Sequence, residues 1–214
     1  GGRGVVALFG TTAAPGGGAL IRQAVGLCGF AQGDPVADIG CGAGETVALL
    51  RREFGLEACG VDIDAALVAA LADPHILQGT AERLPFGDGC MEGLLFACSL
   101  SLVQNKRAAL RECARVLRPG GRLVVGDLYA RAPERARPED LARVEPWAGQ
   151  RARIEAAGFA LCHFEDRSPD LAQRFGELIF AHGGEALEQR MGAELELLKR
   201  VSGGYYLAIF AREG

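Results

Sequence analysis

The 214-residue chain carries 23 Lys and Arg against 27 Asp and Glu, a formal net charge of −4, with 49% hydrophobic and 23% charged residues. These values fit one globular domain, residues 1–214, with a full core, and they exclude a global basic field that would attract nucleic acid or anionic lipid. No apolar run approaches the roughly 20 residues that span a bilayer, and the apolar stretch at residues 5–9 is too short for a secretory signal.

In chain order, Pro15-Gly16-Gly17-Gly18 is a break, and residues 19–28 then repeat apolar side chains at helical spacing. Residues 1–34 are thus expected to be an outer helical segment. Residues 36–39 form a short apolar run ending in glycines, which predicts a buried strand. Residues 45–54 predict a helix with Val47, Leu50 and Phe54 on one face and Gly55 as its stop. The same reading predicts strands at 58–61, 75–77, 93–97 and 122–128 and helices at 65–71 and 106–117. Pro119-Gly120-Gly121 is expected to stop the second of these helices.

Residues 131–146 mix charge and Pro and are expected to be a surface excursion. A helix at 150–157, a strand at 159–164, helices at 169–181 and 185–201 and a strand at 205–211 complete the chain. Strands alternating with helices predict an α/β fold: a Rossmann-like, doubly wound, mostly parallel seven-stranded sheet with helices on both faces. A helical cap is expected between the last two strands. Residues 35–130 would form the ligand-binding core and 131–214 the substrate-side half, with a helical insertion at about 169–201.

The seven cysteines (Cys28, Cys41, Cys59, Cys90, Cys98, Cys113 and Cys162) form no C-x-x-C pair and have no His at zinc-finger spacing, so no metal site is expected. They read as reduced, buried thiols, which implies a cytoplasmic location. His75, His163 and His182 read as structural or exposed side chains. Arg131, Arg135, Arg137 and Arg143 alternate with Glu134, Glu139, Asp140 and Glu145, so this stretch is nearly neutral and not a nucleic-acid patch.

The segment V-A-D-I-G-C-G-A-G-E, residues 36–45, places a strand, a G-x-G-x-G turn and a helix in succession. Glycines let the chain turn tightly and let a ligand approach the backbone, while the helix start adds free N–H groups. A dinucleotide fold prefers G-x-G-x-x-G. Here Glu45 takes the sixth position, and an acid there would repel a pyrophosphate but suits an ammonium or sulfonium. Asp62 ends the next strand about 20 residues later, where a carboxylate can accept both hydroxyls of a ribose. Its competing reading is a helix cap, a role for which Asp64 is better placed.

This arrangement resembles the class I S-adenosylmethionine (SAM)-dependent methyltransferases, in particular the small-molecule group that includes the ubiquinone and menaquinone enzymes. Three blocks carry the resemblance in family order: V-A-D-I-G-C-G-A-G-E, G-T-A-E-R-L-P-F at 79–86, and R-V-L-R-P-G-G-R-L-V-V-G at 115–126. The resemblance implies SAM as cofactor, with Asp38, Gly40, Cys41, Gly42 and Gly44 holding its methionine part. Asp62 would then bind the ribose, Ile63 would pack on the adenine, and Ala81 would present its N–H to the adenine edge. Thr80 replaces the family's Asp, so the hydrogen bond to the adenine amino group would be weaker or supplied by Glu82. Met91-Glu92 replaces the usual F-D.

The stretch C-S-L-S-L at 98–102 is similar to part of the arsenite methyltransferases, in which a Cys binds arsenic. Cys98 is therefore either a small residue lining the SAM pocket or a thiol ligand. Cys98 and Tyr129 are the candidates for a catalytic role, and no catalytic residue is otherwise legible. The acceptor pocket is expected between residues 16–27, 98–102 and 129–131 and the two C-terminal helices. The reading is a methyltransferase acting on a small molecule as a monomer or homodimer. The alternatives are a non-catalytic SAM or adenosylhomocysteine binder and a nicotinamide-dependent oxidoreductase.

Overall fold

A computed structural model describes residues 14–214, apart from the side chains of residues 190 and 191. The apolar stretch at residues 5–9 and the first part of the expected outer segment lie outside the described residues.

Seven strands form one sheet: β1 (Pro35–Ile39), β2 (Glu57–Asp62), β3 (Ile76–Gln78), β4 (Met91–Ala97), β5 (Leu117–Ala130), β6 (Phe159–Asp166) and β7 (Gly203–Arg212). Their order is β3-β2-β1-β4-β5-β7-β6. β1 pairs in parallel with both β2 and β4, whereas β7 runs antiparallel to β5 and β6. The expected mostly parallel doubly wound sheet is thus present, closed by an antiparallel edge.

The helices are α1 (Gly17–Cys28), α2 (Glu45–Phe54), α3 (Ala65–Leu71), α4 (Lys106–Val116), α5 (Pro138–Arg143), α6 (Trp147–Glu155), α7 (Ser168–His182) and α8 (Gly184–Arg200). Alternation along β7 shows why both faces must be covered: Tyr205, Leu207 and Ile209 enter one core, Tyr206, Ala208 and Phe210 the other. Leu20 and Val25 of α1, Val47 and Leu50 of α2, Leu171 of α7 and Leu197 of α8 cover the first face. Leu110 and Cys113 of α4 and Ile154 of α6 cover the second.

Local chemistry sets the boundaries near the site. The Asp64 carboxylate accepts from the Ala66 and Leu67 N–H groups at 3.0 Å and starts α3. Asn105 caps α4 by accepting from the Ala108 N–H at 3.0 Å. α2 ends at Gly55, whose φ of 62° is left-handed.

Two expectations need correction. Pro119-Gly120-Gly121 does not precede β5 but lies within it, as a kink where Met91 pairs with Leu117 and Gly93 already pairs with Arg122. Gly120 takes φ 78° there, and an Arg118–Glu92 ion pair straps the kink to β4. Residues 131–146 are not wholly a surface excursion, because α5 lies inside them and Asp140 and Val144 are buried. The Asp140 carboxylate accepts from the Arg137 N–H at 3.0 Å and from Arg200 of α8 at 2.7 Å. This pairing across 60 residues has no signature in local composition.

The cysteines are all free, but only Cys28, Cys41, Cys98 and Cys113 are buried; Cys59 is half-buried, and Cys90 and Cys162 are exposed.

Candidate functional site

The strand order reverses between β1 and its neighbours β2 and β4, and their carboxyl ends diverge there into a crevice. A cavity of about 750 Å³ occupies it. Its walls come from the start of α1, the β1–α2 loop, the end of β2, residues 79–82, the end of β4 and the turn that follows.

The β1–α2 loop is anchored from below. Gly40 and Cys41 donate backbone N–H bonds to the Val61 carbonyl at 2.7 and 3.2 Å. Gly40, Gly42 and Gly44 have φ values of 78°, 52° and 79°, a left-handed series that a side chain would strain. At Gly40 a Cβ would also sit 2.6 Å from the Ser99 Cβ, so the loop and the turn after β4 meet at backbone distance.

Asp62 ties the loop to β2. Its carboxylate accepts from the Gly42 N–H and from the Asp64 N–H, each at 2.9 Å. Each oxygen keeps lone-pair capacity toward the cavity. Asp64, not Asp62, is the cap of α3, so Asp62 is free for a ligand role.

Asp38 is the most diagnostic group. It is 2% exposed, lines the cavity, and has one oxygen, Oδ1, with no hydrogen-bond partner in the protein. Burial raises its pKa to about 7, against a lowering hydrogen bond from Thr46 and a raising contribution from Asp62. A buried carboxylate oxygen without a donor is costly, and a ligand ammonium at this point would supply one.

Cys98 opens the turn after β4 with φ 64°, an uncommon conformation for a side-chain-bearing residue. Three contacts hold it. The Cys98 N–H donates to the Gly126 carbonyl at 2.7 Å, the Ser99 hydroxyl donates to the Ile39 carbonyl, and the Ser101 N–H donates to the Asp127 carboxylate at 2.7 Å. The thiol is 3% exposed and is contacted by the Tyr205 hydroxyl; burial pushes its pKa well above the ordinary thiol value. Such a thiol stays protonated, which does not favour the arsenic reading, since soft centres bind thiolate. Asp127, buried beneath the turn, is a supporting residue.

Of the residues expected to bind cofactor, Asp38, Gly40, Cys41, Gly42, Asp62, Ile63, Thr80, Ala81, Glu82 and Cys98 all line this cavity. Gly44 stands behind them as the left-handed N-cap of α2. Ile63 is 70% exposed at the wall, an open apolar surface. Glu45, Thr46 and Ser99 also line the cavity; for Thr46 the signal was its place in the first turn after the glycines.

Tyr129 does not line this cavity. It belongs to the opposite core, edge-on to Tyr206 with ring centroids 5.9 Å apart. Nor do residues 129–131 or the α7–α8 pair line it, contrary to the expected acceptor pocket. Leu171, Leu178, Leu197 and Leu198 pack those two helices into the core on one face of the sheet.

Residues 37–125 match the family model for a methyltransferase domain. Over that stretch the chain is similar to methyltransferase domains. An Aspergillus sclerotiorum O-methyltransferase is 30% identical over 165 residues, covering 69% of this chain and 62% of that protein. The demethylmenaquinone methyltransferase of Mycobacterium tuberculosis is 38% identical over 95 residues, 44% of this chain and 40% of that one. The chain thus spans about half the length of these curated relatives. Among solved structures, geranyl diphosphate C-methyltransferase from Streptomyces coelicolor, in complex with S-adenosyl-L-homocysteine, superposes with a TM-score of 0.74 at 21% identity, covering 91% of this chain and 78% of that one. The shared methyltransferase fold places the crevice described above at its topological switch point.

The residues fit SAM. Asp38 Oδ1 lacks the donor that an amino-acid ammonium offers, Asp62 is pre-oriented by two backbone N–H groups, and a Cβ on Gly42 would meet nothing within 4 Å.

Proposed function

We propose that this protein is a SAM-dependent methyltransferase that transfers a methyl group to a small-molecule acceptor by in-line displacement. The observation that carries the reading is the buried, partnerless Asp38 oxygen in the same cavity as the loop-bound Asp62. In this assignment Asp38, Gly40, Cys41, Gly42 and Thr46 hold the amino-acid half of the cofactor. Asp62 accepts from the ribose, Ile63 covers one adenine face, and Thr80, Ala81 and Glu82 meet the adenine edge. Gly44 acts from behind as the turn residue that starts α2.

SAM supplies the activated methyl group when bound. The chain's own contribution is alignment and exclusion of water. The turn at Cys98, pinned by Ser99 and Asp127, gives the acceptor side a rigid wall. Cys98 contributes shape there and Tyr129 supports the opposite core, so neither is assigned acid–base work. Among the described residues no helix is long and apolar enough to cross a membrane. We place the protein in the cytoplasm, as a monomer or homodimer acting on a small molecule and not on nucleic acid.

The test is calorimetric titration with SAM, adenosylhomocysteine and NADH, then incubation with methyl-labelled SAM and a panel of acceptors. Binding of SAM with a labelled product supports the reading. Binding without product from any acceptor would favour a sensor of SAM, and NADH binding in place of SAM would reject both.

A further inference from the structure

We infer that the methyl acceptor is an uncharged or cationic molecule with an apolar body, and that acceptors bearing phosphate, sulfonate or carboxylate are rejected. This rests on the SAM assignment above. Once Asp38, Asp62 and residues 79–82 are given to the cofactor, the walls that remain are the start of α1, the inner side of α2 and the turn after β4. Their side chains are chiefly apolar: Ile21, Leu49, Leu102 and Val103, with Gln104 adding an amide. Gly18 packs so closely on Leu49 that a Cβ there would lie 3.0 Å from the Leu49 Cδ1, which keeps the α1 side of this wall flat. Leu102 is 47% exposed, an apolar surface waiting for a cover.

The volume also leaves room. About 750 Å³ lies in the upper part of the roughly 300–1,000 Å³ range of small-ligand pockets, enough for a second molecule beside the cofactor.

Charge then selects among apolar molecules. Asp38, Glu45, Asp62 and Glu82 all line the cavity, and no Lys, Arg or His does so among the described residues. The cofactor's ammonium, ribose and adenine engage Asp38, Asp62 and Glu82, but Glu45 remains. A phosphate or carboxylate entering this space meets like charge and finds no basic partner, at a cost that low dielectric enlarges.

The experiment uses a matched pair of fluorescent probes on protein saturated with adenosylhomocysteine: neutral N-phenyl-1-naphthylamine and its anionic counterpart 8-anilinonaphthalene-1-sulfonate. The neutral probe is expected to bind at least about tenfold tighter at low salt. Glu45→Gln should narrow that gap by about threefold. Leu102→Trp, at a half-exposed site where folding is not at risk, should weaken the neutral probe at least about fivefold while leaving adenosylhomocysteine affinity unchanged. Equal or tighter binding of the sulfonate overturns the inference. So does failure of the neutral probe to bind, or its indifference to Leu102→Trp, in protein that binds adenosylhomocysteine. Failure to bind adenosylhomocysteine removes the methyltransferase reading itself, which separates the two.

Discussion

Asp62 accepts a hydrogen bond from the Gly42 N–H at 2.9 Å, across 20 residues of chain, so the acid that ends β2 also sets the shape of the glycine loop after β1. One carboxylate therefore serves two functions: it orders the loop through Oδ2 and it lines the cavity. Nothing in either segment alone requires the contact. It arises because β1 and β2 pair in parallel register, Ile39 beside Val61, which brings the two strand ends level.

Replacing Asp62 should be felt mainly in cofactor binding. Asp62→Ala is expected to weaken SAM affinity by about ten- to a hundredfold, the worth of losing charged hydrogen bonds of roughly 1.5–3 kcal/mol. Asp62→Asn should fall between. Calorimetry measures the affinity and thermal melting checks the fold; unchanged affinity in folded Asp62→Ala would reject the ribose assignment.

Asp38 makes stability depend on pH in a definite direction. Its folded pKa, about 7, lies above the ordinary 3.8, so the folded state holds the proton more tightly than the unfolded chain. Stability of the ligand-free protein should then fall as pH rises from about 4 to 7 and level off above, by an amount of the order of a few kcal/mol. Asp38→Asn should flatten that part of the profile. SAM, whose ammonium prefers the ionised carboxylate, should bind more weakly below pH 7, and Asp38→Asn should remove that dependence too. Melting curves and calorimetry across this range decide the matter.

Asp127 is expected to matter for stability more than for cofactor affinity. Asp127→Ala leaves the Ser101 N–H without its acceptor and empties a site that is 1% exposed. A loss of about 2–3 kcal/mol follows, or roughly 5–10 °C in Tm for a chain of this size. The strained Cys98 turn should loosen with it. Faster alkylation of Cys98 in the variant, followed by mass spectrometry, reports that loosening directly.

Thiol reactivity should sort by burial. Cys90 and Cys162 are exposed and should be labelled first by iodoacetamide at pH 8, Cys98 and Cys113 last, because burial holds those two thiols protonated and out of reach. Cys98→Ser should change SAM affinity little, since the thiol supplies shape and not charge. Complete loss of activity toward every acceptor in folded Cys98→Ser would instead assign Cys98 a chemical role.

Much of this molecule is legible in the order of its residues. The glycine run after an apolar strand, Asp62 at the next strand end and helix limits such as residues 45–54 are local facts. They follow from φ preferences, capping and the 3.6- and 2-residue periods, which act over a few residues. Tertiary structure alone decided the rest. It buried Asp38 and left one oxygen without a donor, packed Tyr129 against Tyr206 and outside the cavity lining, and laid α7 and α8 against β7. It also tied α5 to α8 through the pairing of Asp140 with Arg200. Each of these depends on which surfaces meet across long separations in the chain, and neither propensity nor periodicity carries that information.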